Sequence, residues 1–113
     1  MSDFPPELLA RRDRFRALAA QFPNNELPLF SLGQVELEAK QWAAAQETFS
    51  RVVALKPDYM MAWLHLGQAL MRLERWADAL EPVERARALA KQQGHSGPLQ
   101  DCEELLATIR EEL

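Results

Sequence analysis

With a single cysteine, Cys102, the chain has no means of closing an intramolecular disulfide. No apolar run approaches the roughly 18 to 20 residues needed to cross a bilayer. The opening Met-Ser-Asp-Phe-Pro-Pro lacks the basic and apolar regions of a signal peptide. Together these absences predict a soluble, cytoplasmic protein without a membrane partner. A basic excess is missing too: the net charge of −4 argues against tracking the phosphates of a nucleic acid. Catalytic groups are sparse. His65 and His95 are the only histidines, and no carboxylate or cysteine spacing around them makes a metal site or a nucleophile pair. A glycine-rich phosphate loop is absent as well. The expectation is a non-enzyme with no cofactor and no metal.

What is present is dominated by helix formers such as Ala, Leu, Glu, Gln and Arg, with only four glycines in 113 residues. That balance predicts a single all-α domain. Within it, Leu32–Leu55 recurs 34 residues later as Leu66–Leu89, with ten identities in register and no gap. They include Gly33 with Gly67, Gln34 with Gln68, Trp42 with Trp76 and Ala45 with Ala79. A period of this length marks a repeat protein.

Hydrophobic periodicity and breakers divide the chain into about six helices. The first spans about Pro6 to Gln21, with Leu8, Phe15, Leu18 and Phe22 on one stripe. Asn24 and Asn25 can cap a second, about Glu26 to Lys40. A third covers about Ala43 to Lys56, and Asp58 is a good cap for a fourth, about Tyr59 to Leu73. The fifth runs from about Trp76 to Gln92, with a bend expected at Pro82. Gly94 to Pro98 reads as the clearest loop. Beyond it Leu99, Cys102, Leu106, Ile109 and Leu113 lie on one face of a final helix, with Cys102 a small core residue. Arg11, Arg12, Arg14 and Arg16 make the first helix basic, while Asp101, Glu103, Glu104, Glu111 and Glu112 make the last one acidic. Two solvated faces explain this, or a charge-complementary contact between different molecules.

Two helices per 34-residue period resemble the tetratricopeptide repeat family. Its tryptophan-x-x-leucine-glycine segment falls on Leu29, Leu32 and Gly33, then on Trp63, Leu66 and Gly67. The later aromatic is Trp42 and Trp76, the small residue Ala45 and Ala79, the large residue Phe49 and Val83, and the closing proline Pro57. Phe15 and Pro23 fit the same frame one period earlier. The resemblance implies a right-handed α-solenoid of about two and a half repeats: a half repeat over 6–23, repeats over 26–59 and 60–93, and a capping helix over 98–113. The paired glycines also have a physical reading: helices approach to about 8 Å only where side chains are nearly absent. Trp63, Leu66, Phe49, Val52 and Leu55 would fill the core.

The fourth helix is apolar almost all round, with only His65 and Gln68 polar between Met60 and Met71, so it should be covered on all sides. Its Trp63, Leu66 and Leu70 face can be buried within the solenoid, leaving Met61, Leu64 and Met71 on another. The second helix repeats this with Leu27, Phe30 and Leu37. In the family this chain resembles, such positions line a concave groove that holds peptides. The resemblance places the contacts at Leu27, Phe30, Gln34, Leu37, Glu38, Met61, Leu64, Gln68, Met71 and Arg72, with His65 at the rim. Some family members clamp a terminal carboxylate with lysines and asparagines; Phe30 and Leu64 occupy two of those positions here. The expected partner is therefore an amphipathic helix or short apolar segment of another protein. The same stripe can alternatively serve a homo-oligomer, or be covered by the chain itself.

Overall fold

The computed structural model describes residues 3–113. Among them six helices follow in order and no strand occurs: α1 (Pro6–Gln21), α2 (Glu26–Glu38), α3 (Trp42–Leu55), α4 (Met60–Arg72), α5 (Trp76–Gln93) and α6 (Ser96–Glu112). Each packs on the next, as short connections between helices require.

The ends of the helices have identifiable causes. Pro6 opens α1, where a missing N–H breaks no bond. The Asn25 side chain accepts the Leu27 N–H at 3.0 Å and caps α2. Both α2 and α4 end in left-handed residues, Lys40 (φ 59°) and Glu74 (φ 58°). The Gln41 and Arg75 N–H groups then reach back to the Glu36 and Leu70 carbonyls at 2.9 Å each. This closes two equivalent turns and satisfies carbonyls that the helices leave open.

Four local expectations are corrected. The α5–α6 connection is shorter than Gly94–Pro98, because Gly94 (φ 75°) ends α5 in the same manner and the His95 N–H bonds the Ala90 carbonyl at 2.8 Å. Gly97 and Pro98 consequently fall in the first turn of α6, where proline is tolerated. The cap of α4 is Tyr59 rather than Asp58, and no side chain bonds that terminus. Instead the Trp63 indole donates to the Pro57 carbonyl at 2.7 Å and ties α4 to the preceding turn. Phe22, expected on the buried stripe of α1, is 48% exposed, since it sits at the C-cap beyond the last packed turn. Leu55, at the end of α3, is also exposed. α5 passes through Pro82 without a break.

The main core joins all six helices, α1 through Ala19, and centres on Leu29, Phe49, Val52, Leu64, Val83 and Ile109. A Cβ on Gly33 would stand 2.6 Å from Phe49 Cζ, and one on Gly67 would overlap Val83 Cγ2. These glycines are where the paired helices meet. A smaller cluster of Phe4, Leu8, Val35 and Ala39 seats α1 on α2. Three of the four arginines of α1 are engaged within the chain. Arg11 pairs with Glu38 at 3.0 Å, Arg12 lies 4.7 Å above the Phe4 ring, and Arg14 lies 5.3 Å from that of Phe15.

Candidate functional site

The surplus apolar stripe of α2 and α4 divides into two zones with different fates. Toward the N-terminal ends of the two helices it is closed by the chain's own aromatics. Phe30 stacks on Tyr59 at 4.6 Å between ring centroids and meets Phe49 edge-on at 5.6 Å. His65 tilts against both phenylalanine rings, 5.8 Å from Phe30 and 5.2 Å from Phe49.

Leu64 is only 2% exposed and belongs to the core, which corrects its assignment to the groove wall. His65 likewise is part of the cluster rather than a free rim contact. Its Nδ1 and the Gln68 amide are hydrogen-bonded at 2.9 Å. Burial pushes its pKa below the ordinary histidine value, against the opposing pull of the Gln68 bond. The cause of this closure is Tyr59, whose ring reaches across from the α4 cap. Leu27 is left 57% exposed at the edge, and Met61 borders a separate shallow pocket with Tyr59, Met60 and Gln93.

Toward the C-terminal ends the stripe opens into a depression of about 670 Å³. Four of the expected contacts line it: Leu37 from α2, and Gln68, Met71 and Arg72 from α4. Gln34 and Glu38 are exposed on α2, but Glu38 is turned toward α1 by its ion pair with Arg11. The remaining wall consists of residues outside the expected set: Trp42, Glu74, Trp76, Leu105 and Thr108. The two tryptophans are the first residues of α3 and α5, one repeat apart, and the Arg72 guanidinium lies 5.2 Å from the Trp42 ring. That contact holds the arginine flat along the wall while its charge stays accessible.

α6 supplies the third side, with its buried face in a shifted register. At the 34-residue period Cys102 would be the counterpart of Gln68, yet Cys102 is fully buried. Leu105 and Thr108, one period after Met71 and Glu74, face the depression. α5 has 18 residues where α3 has 14, and this extra turn with the Gly94 stop changes the phase at which α6 begins. The sequence signal for the tryptophans was their identity at one repeat position; Leu105 and Thr108 stand one 34-residue period after Met71 and Glu74, in a helix that lacks the rest of the repeat motif.

The depression can accept an apolar side chain among Leu37, Met71 and Leu105, with Gln68, Arg72, Glu74 and Thr108 available for hydrogen bonds. Among the described residues, no group of three or more His, Cys, Asp or Glu side chains is placed to hold a metal ion. No helix there is long and apolar enough to cross a membrane.

A helical solenoid whose alternate helices line one concave wall defines a class of repeat protein. The tetratricopeptide repeat family model matches residues 30–94, more than half of the 113, and the chain belongs to that family. Solved structures agree on the right-handed solenoid. The TPR2B domain of yeast Sti1, in its complex with pHsp70, superposes with a TM-score of 0.86 at 11% identity, covering 95% of this chain and 86% of that one. SycD, a type III secretion translocator chaperone from Yersinia enterocolitica, gives 0.88 at 15% identity over 94% and 74%. A protein from Bordetella parapertussis gives 0.74 at 28% identity over 89% and 88%. No curated protein sequence matches the chain.

Proposed function

We propose that this domain is a non-enzymatic protein-interaction module that holds an amphipathic helix or short apolar segment of a partner in the depression shared by α2, α4 and α6. The observation that carries the reading is the open apolar floor of Leu37, Met71 and Leu105, framed by Trp42 and Trp76. Half-buried methionine and aromatic side chains adapt to an irregular surface at low ordering cost, and the framing polar groups fix orientation. The Sti1 domain of the same fold takes a protein partner, which supports a binding role for this scaffold. Cys102 is buried and unpaired, in keeping with a reducing, cytoplasmic setting.

Peptides selected from a random display library on the immobilised domain should carry apolar residues at helical spacing. Met71→Gln and Leu105→Gln should each weaken a selected peptide by about tenfold, roughly 1.4 kcal/mol, with circular dichroism unchanged. Because both side chains also touch the core, Arg72→Ala at an exposed position serves as a second variant and should weaken binding without loss of stability. Undiminished binding in all three overturns the proposal. Self-association through the same depression is the alternative reading, and light scattering at low and high salt distinguishes it. Contact between charged chain ends has less support, since Arg11, Arg12 and Arg14 already have partners within the chain.

A further inference from the structure

A second pocket, of about 320 Å³, lies between α1, α2 and α3, away from the groove. Its lining includes Glu36, a carboxylate only 3% exposed, whose Oε1 has no hydrogen-bond partner. The Thr48 hydroxyl is the side-chain hydrogen-bonding neighbour of the carboxyl. One repeat later the same two positions hold Leu70 and Pro82, both buried. The first repeat has thus replaced an apolar pair by a polar one at matched core positions. A buried acceptor left unpaired costs about 1 to 3 kcal/mol, so the exchange is not explained by packing.

The other groups around the pocket limit what can satisfy that oxygen. Exposed Arg16 from α1 and Arg51 from α3 line it together with exposed Glu47, so two positive charges balance two negative ones. A divalent cation needs six to eight oxygen ligands for calcium, or near-octahedral coordination for magnesium, and two arginines oppose either. A simple anion would meet Glu36 and Glu47. A purely apolar guest would leave Oε1 unpaired. A small molecule carrying both an ammonium and a carboxylate matches both signs. The volume equals that of about ten liquid waters, room enough for a small amino acid.

We propose that this pocket binds a free α-amino acid as its zwitterion, with the ammonium donating to Glu36 Oε1 and the carboxylate paired with Arg16 and Arg51. The site shares no lining residue with the partner groove, although both draw on α2 and α3.

The test is a titration of the full chain, labelled with ¹⁵N, with L-alanine at millimolar concentrations, in parallel with methylammonium and with acetate. Saturable shifts at the Glu36 and Thr48 amides are expected with alanine, about tenfold weaker or absent with either single-charge probe. Glu36→Gln should lose the response. Glu36→Leu copies the Leu70 solution of the second repeat, so it keeps the fold and should also be silent. Absence of saturable shifts, equal binding of acetate, or an unchanged response in Glu36→Leu each overturns the proposal; the first of these leaves water as the partner of Oε1.

Discussion

Gly67 shows how a single side-chain atom sets the spacing of a helix pair. Alanine would gain about 1 kcal/mol in helix propensity, but its Cβ would overlap Val83 Cγ2. Overpacking of this kind costs about 1 to 3 kcal/mol. Gly67→Ala is therefore expected to be destabilising, with a lower urea midpoint; an unchanged or raised midpoint would show that α4 and α5 can move apart freely. Both glycines were legible as packing positions, because they recur one period apart inside helices where glycine is otherwise unfavourable.

Glu36 was not legible, since nothing in a single sequence shows that a glutamate lies under α1. Burial raises its pKa above the ordinary 4.5, against hydrogen bonding from Thr48 and the Arg16 and Arg12 charges of α1, while Glu47 of α3 adds to the rise. The folded state therefore keeps the proton to a higher pH than the unfolded chain. This contribution to stability is complete below the ordinary carboxylate range and is lost as pH rises through the raised value. Thermal midpoints measured across that window should fall with rising pH in the parent and show less of this decline in Glu36→Gln. Identical profiles would mean the carboxylate is solvated.

At the scale of elements, α4 is the decisive helix. Its nearly continuous apolar sequence called for cover on every side, but the cover is complete only at one end, and periodicity does not say which neighbour provides it. Tyr59 and Phe30 cover the Leu64 end, while the Met71 end remains half open between Trp42 and Trp76. Leu64→Gln places an amide in a fully packed site and should cost about 3 kcal/mol, read as a lower denaturation midpoint. Retention of full stability would return Leu64 to the surface. α6 shows the opposite limit. Its apolar spacing of three and four residues identified Cys102, Leu106 and Ile109 as buried. The extra turn of α5 and the left-handed Gly94 bear on which face of α6 is buried, and neither follows from the repeat period.

For the molecule as a whole, the 34-residue period carried the family and the solenoid, because every repeat must bury the same faces against its neighbours. The site is a property of the assembly. It draws one wall from each of three helices distant in sequence, and its tryptophans open the two helices that alternate with them. The measurement that tests this account most directly is a ¹⁵N titration of the domain with a display-selected apolar peptide, following backbone amides and tryptophan indoles together. The account predicts shifts concentrated at Gln68, Met71 and Thr108 and at the indoles of Trp42 and Trp76. Shifts centred on Leu27 and Met61, with those probes silent, would contradict it.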